Sequence, residues 1–160
     1  MRRFLVVEDD EQLADLLSEV CQDLCDAEVM VSYGDTAESL LKQQPDLAII
    51  DVMLPERLGF DVICHAVKHQ VPGLLISGYD EADYWCKQLG LPHLMKPFSL
   101  QALVTTTEMI LADTRANIAS LQQACATLRE TVRNSDPIIG ENIIEASRQL
   151  RNHRKHGFLR

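Results

Sequence analysis

Carboxylates stand at two places in this chain where an apolar run stops. "LVVEDD" at residues 5–10 sets Glu8, Asp9 and Asp10 straight after apolar residues, and "LAIID" at 47–51 ends on Asp51. Two further runs end on different chemistry, "LLIS" on Ser77 and "HLMKP" on Lys96 and Pro97. Glu8, Asp9 and Asp51, brought together, are too much negative charge to stand bare. A hard divalent cation with oxygen ligands neutralises such a set, and Mg²⁺ suits one or two direct carboxylates completed by waters. The same residues suit phosphoryl transfer. The cation would screen an incoming phosphoryl group, and Asp51 would serve as a carboxylate nucleophile forming an acyl phosphate. Lys96 would pair with one phosphoryl oxygen and Ser77 would hydrogen-bond another. The chain has no glycine-rich phosphate loop, which excludes P-loop chemistry. Each residue taken singly also reads as a solvated loop residue, and Asp10 and Glu11 read best as the acidic start of a helix.

What must position these groups is a repeated strand–helix unit. "RFLVV", "EVMVS", "DLAIID", "PGLLIS" and "PHLMK" read as strands, mostly as continuous apolar runs. Between and after them lie helical patterns. Leu13, Leu16, Leu17, Val20 and Leu24 mark the inner face of the first, and Phe60, Ile63, Cys64 and Val67 that of the third. Asp35 is placed to cap the second, Gly90 to close the fourth and Ser99 to cap the fifth. Five such units predict an α/β fold with a parallel sheet covered on both faces. Right-handed crossovers bring every strand's C-terminal end to one edge, where open α/β sheets bind ligands. All the candidate residues then share that edge.

At this point the chain resembles the receiver domain of bacterial two-component response regulators. The matching pieces are "LVVEDD" at 5–10, "DVMLPERLG" at 51–59, "SG" at 77–78 and "KPF" at 96–98, with the Asp51, Pro55, Gly59 spacing of that family. The resemblance covers residues 2 to 113 and implies a flavodoxin-like sheet in the order 2-1-3-4-5. It implies that Asp51 accepts a phosphoryl group from a sensor histidine kinase or phosphotransfer protein. Asp9, Asp51 and the backbone carbonyl of Met53 would hold Mg²⁺ directly, Glu8 mainly through water. Lys96 would bind the phosphoryl group, with a cis peptide before Pro97, and Ser77 would swing toward it and transmit the switch. The family's aromatic switch residue, three places before the lysine, is His93 here, which suggests a weaker or pH-sensitive switch. Met53 and Tyr79, each two residues after a key group, are large and point to slow self-dephosphorylation. The expected protein is then a signalling module and not an enzyme with a separate substrate. Haloacid-dehalogenase phosphatases and Toprim nucleases each need an Asp-x-Asp pair that "EDD" and "DVM" do not supply.

Beyond the receiver, taken as 1–113, the chain continues. Leu111, Ile118, Cys125 and Val132 recur every seven residues, and Thr107, Thr114, Leu121 and Leu128 form a second series. No Gly or Pro interrupts 99–136, so 114–135 reads as helix 5 running on as a coiled coil and a homodimer seam. The alternative is a helix folded back on its own domain. After Pro137 and Gly140, the segment 136–160 reads as a basic helical segment. Its part 141–160 loosely resembles a Fis-like helix-turn-helix, which would make the protein a DNA-binding regulator. Arg151 stands where that turn has Gly, and Gly157 interrupts the second helix.

Charge and cysteine usage bound these readings. Residues 1–98 hold 7 Lys/Arg against 18 Asp/Glu, a field that repels nucleic acid, whereas 137–160 hold 5 against 2. Cys21, Cys25, Cys64, Cys86 and Cys125 are odd in number and lack a CxxC, so free thiols and a cytoplasmic setting are expected. No run reaches membrane-spanning length, so no membrane partner is expected.

Overall fold

The computed structural model describes residues 1–55 and 57–134. Five strands, β1 (Arg2–Val7), β2 (Ala27–Ser32), β3 (Leu47–Asp51), β4 (Gly73–Ser77) and β5 (His93–Met95), alternate with α1 (Glu11–Cys25), α2 (Ala37–Leu41), α3 (Gly59–Lys68), α4 (Asp80–Leu89) and α5 (Leu100–Ala112). A further helix, α6 (Thr114–Asn134), follows. The sheet is parallel throughout, in the order β2-β1-β3-β4-β5. This is the flavodoxin-like order that the family resemblance implies.

The period-2 geometry of strands divides the apolar runs between two cores. Phe4, Val6, Leu47, Ile49, Leu74 and Ile76 face α1 and α5, while Leu5, Val7, Ala48, Ile50 and Leu75 face α2, α3, α4 and α6. Both faces are covered, so the strands carry no polar alternation. The caps are where local chemistry puts them. Asp10 Oδ1 accepts the Leu13 N–H, Ser99 Oγ accepts the Ala102 N–H, and Gly90 closes α4 in the left-handed region at φ 65°.

Two local expectations are corrected. Leu16 and Leu24 of α1 are 48% and 55% exposed, and the inner face is instead Ala14, Leu17, Val20, Cys21 and Cys25. Helical spacing leaves a neighbouring stripe as an alternative. The second helix is short, Ala37–Leu41, with Thr36 and not Asp35 at its N-cap. Gln44 enters the left-handed region at φ 53°, which ends the helical path before Pro45.

The largest correction concerns the extension. Helix 5 does not run on uninterrupted. Asp113, at φ −141° and ψ 72°, breaks it, and Asp113 Oδ1 then accepts the Ala116 N–H to start α6. The turned helix lies on α3 and the start of β4. Asn117, Leu121, Ala124 and Cys125 are buried there, with Leu128 packed alongside. Gly73 marks the closest approach, since a Cβ at that position would overlap the Ile63 side chain and touch Leu121. Leu121, Cys125 and Leu128 of the two seven-residue series are covered by the chain's own domain. Over three turns, a heptad seam and an amphipathic stripe at period 3.6 select nearly the same residues. Burying Leu121 in this way contributes about 2 kcal/mol.

This docking also overturns the expectation of free thiols. Cys64 of α3 and Cys125 of α6 are joined in a disulfide with their Cα atoms 5.8 Å apart, while Cys21, Cys25 and Cys86 are free and buried. The spacing in sequence could not show it, because the pair exists only once α6 has turned back. Among the described residues, no helix is long and apolar enough to cross a membrane. The basic segment 136–160, with its Fis-like part 141–160, lies outside the described residues.

Candidate phosphoryl-acceptor site

The C-terminal edge of the sheet collects the acids from two adjacent strands. β1 lies next to β3, with Val7 opposite Ile50, so the residues that follow each strand emerge side by side. Glu8, Asp9 and Asp51 offer carboxylate oxygens that all lie within 4.8 Å of one another. Glu8 is fully buried and Asp51 is 2% exposed. Three hard oxygen donors in this space fit a small divalent cation, with Asp9, the half-buried member, on the open side.

Lys96 supplies the opposite charge. Its Nζ donates to Glu8 Oε2 and to Asp51 Oδ2, each at 2.8 Å. The lysine reaches the acids because its backbone is hooked onto β4. Lys96 N–H donates to the Ser77 carbonyl at 2.7 Å, and the following Lys96–Pro97 peptide is cis. Burial disfavours charge on the ammonium, but Asp51 and Glu8 outweigh it and hold Lys96 above its ordinary value. For Glu8 the balance runs the other way. Burial, then the Asp51 charge, push its carboxyl up to about 7 against the pull of Lys96.

Asp51 itself is oriented by the chain that follows it. Its Oδ1 accepts the Met53 N–H at 2.8 Å, so both carboxylate oxygens are engaged, one by backbone and one by Lys96. Glu8 is fixed in the same manner by the Asp10 N–H at 3.1 Å. The loop after Asp51 is closed by Gly59, whose N–H donates to the Val52 carbonyl at 2.8 Å. A Cβ on Gly59 would overlap the Asp51 carbonyl oxygen, so only glycine lets α3 start this close to the acidic residue.

Ser77 ends β4 at 3% exposure, and its Oγ accepts the Tyr79 N–H at 3.2 Å. Met53 is buried beside Asp51, and Tyr79 is half-buried. His93 stands apart from this cluster on β5. Its Nε2 lies 2.8 Å from Asp83 Oδ1 of α4, and its Nδ1 lies 2.9 Å from the Leu91 carbonyl. The sequence therefore names residues of one site together with one residue that faces a helix instead. It misses the ion cluster beside the loop, in which Glu38 Oε1 meets Arg57 at 2.9 Å and His65 at 3.3 Å. Those three come from separate elements, and no spacing rule connects them.

Residues 4–108 match the model of the response regulator receiver domain. The chain is 34% identical over 119 residues to the transcriptional regulatory protein CpxR of Klebsiella pneumoniae subsp. pneumoniae (strain HS11286), an alignment covering 69% of this chain and 50% of that protein. The chain thus spans about half the length of that relative. Among solved structures, the non-phosphorylated HemR receiver domain from Leptospira biflexa is 27% identical with a TM-score of 0.58, covering 72% of this chain and 98% of its own. A CheY-like receiver domain protein from Methanospirillum hungatei JF-1, at 22% identity, shares the fold with a TM-score of 0.61 over 72% of this chain and 98% of its own. With the family's residues gathered at one sheet edge and its model matched across most of the sheet, the chain belongs to the response regulator receiver family.

Proposed function

We propose that Asp51 is the phosphoacceptor of a two-component signalling protein, charged by a sensor histidine kinase or phosphotransfer protein. The observation that carries this is the Lys96 ammonium bridging Glu8 and Asp51 beside Asp9, all at one sheet edge. An Asp51 carboxylate oxygen attacks phosphorus, the P–N bond to the partner's histidine breaks, and the imidazole leaves with its electron pair. Lys96 then exchanges an Asp51 oxygen for a phosphoryl oxygen, and the Ser77 hydroxyl, whose proton is not used by the Tyr79 N–H, turns to another. Mg²⁺ would be held by Asp9, Asp51 and the Met53 carbonyl, with Glu8 acting through water, and would supply charge neutralisation. The bulk of Met53 and Tyr79 keeps hydrolysis of the acyl phosphate slow. The protein turns over no separate substrate.

The output runs through His93. Movement of Ser77 toward the phosphoryl group vacates space behind β4, and His93 must leave Asp83 to fill it. A homodimer seam on α6 would need Leu121 and Cys125, which the receiver already covers.

The test is incubation of the full chain with a small-molecule phosphodonor and Mg²⁺, followed by intact-mass measurement. One phosphoryl group is expected, lost in Asp51→Asn and dependent on Mg²⁺ through Asp9. Retention of the full mass gain by Asp51→Asn would refute the assignment.

A further inference from the structure

We infer that Cys64 and Cys125 form a thiol–disulfide exchange site that governs how firmly the second half of α6 is held on α3. The five cysteines divide into two kinds. Cys21, Cys25 and Cys86 lie in the two cores, and burial, as the largest cause, pushes the Cys21 and Cys86 thiols up to about 12. Thiols of that kind are inert. The Cys64–Cys125 pair instead lines the wall of a solvent-open groove of about 1270 Å³ between the loop after Asp51, α3 and α6. Both line the groove, Cys64 half-buried and Cys125 2% exposed, so Cys64 is the more open of the two residues.

The surroundings favour thiolate chemistry. Arg57, Lys68 and Arg129 line the same groove, against Asp35 and Asp61, and cationic neighbours stabilise a thiolate formed there. The co-reactant class is a dithiol reductant. Its thiolate attacks the Cys64 sulfur, the bond to Cys125 breaks, and Cys125 leaves as a thiolate that takes up a proton. The second thiol of the reductant then attacks the mixed disulfide and releases Cys64 as a thiol. Two electrons and two protons pass to the pair, and the reductant ends as a disulfide.

The helix is built to respond in part and not as a whole. Its first turns are anchored independently of the sulfur bridge, since the Asn117 amide accepts from the Gly73 N–H and donates to the Gly73 carbonyl. The turns after Leu121 have the bridge, the apolar contacts of Ala124 and Cys125, and partly buried Leu128. Gln122, Gln123 and Ala126 on that stretch face solvent, so its hold on α3 falls to the narrow buried stripe where the bridge sits. Opening the bridge loosens those turns and leaves the Asn117 anchor in place.

The experiment uses the full chain. Alkylation after unfolding without reductant is expected to label three thiols, and five after reduction. In the folded protein, dithiothreitol should open the pair without unfolding, leaving Cys21, Cys25 and Cys86 protected from alkylation. Amide exchange across 121–130 should then rise about tenfold while 114–119 stays protected. Cys64→Ser should show the same exchange pattern without reductant, and Cys86→Ala should not. Five labelled thiols before reduction, opening of the pair only on global unfolding, or equal exchange in both redox states would each overturn the inference.

Discussion

Asn117 of α6 holds both backbone groups of Gly73, its Oδ1 accepting the glycine N–H at 2.9 Å and its Nδ2 donating to the glycine carbonyl at 3.1 Å. One side chain thereby completes the start of β4 as a neighbouring strand would. Asn117→Ala leaves a buried N–H and a buried C=O without that partner, which costs about 2 kcal/mol. Urea unfolding should show the loss with an unchanged slope. A midpoint equal to that of the parent protein would mean that α6 is not anchored at this point.

Gly59→Ala drives a methyl group into the Asp51 carbonyl. The loop must shift, and with it the Met53 N–H that orients the Asp51 carboxylate. Phosphoryl uptake from a small donor should slow by on the order of tenfold to a hundredfold, since misplacement by a fraction of an ångström is enough. Normal uptake with normal stability would show that the loop absorbs the methyl without moving Asp51.

His93 sits between two oxygen acceptors, Asp83 Oδ1 and the Leu91 carbonyl, and only a ring with both nitrogens protonated donates to both. On α4 the Lys87 hydrogen bond, then that of His93, hold the Asp83 carboxyl below its ordinary value, so it remains an acceptor. The two contacts restrain α4 through His93. The change in α4 amide exchange on adding beryllofluoride and Mg²⁺ should therefore be larger in His93→Phe, which keeps neither contact. An unchanged response would show that His93 does not restrain α4.

His65 offers a pH effect on stability. Burial, reinforced by Lys68 and Arg57, lowers its ionisation below the ordinary value despite the attraction of Glu38. The folded state thus prefers the neutral ring, and the unfolded chain binds more protons in the window below about pH 6.5. Its contribution is fully present above that pH and fades as pH falls through the folded value. His65→Gln should flatten the fall in urea midpoint between pH 7 and pH 5. An unaltered slope in the variant would remove His65 as a cause.

The candidate site was legible in the sequence because its residues stand at strand ends. Each apolar run stops at a defined residue, and a parallel sheet sends all those residues to one edge. Glu8, Asp9, Asp51, Ser77 and Lys96 could therefore be named without distances. Their division of labour could not. That Lys96 bridges two buried acids, and that its own N–H is hooked onto Ser77, depends on the pairing of β4 with β5. His93 turns toward α4 for a similar reason, because the acceptor that holds it lies ten residues earlier on another element.

The extension divides in the same way. Its sequence alone determined that residues 114–134 form a helix with an apolar stripe, since periodicity and the lack of Gly or Pro there are local properties. Which surface covers that stripe was decided only by the tertiary structure. A hydrophobic stripe gains the same free energy against a second copy or against its own domain. The turn at Asp113, the space above Gly73 and the polar match between Asn117 and the Gly73 backbone select the second, and these bring Cys125 to Cys64.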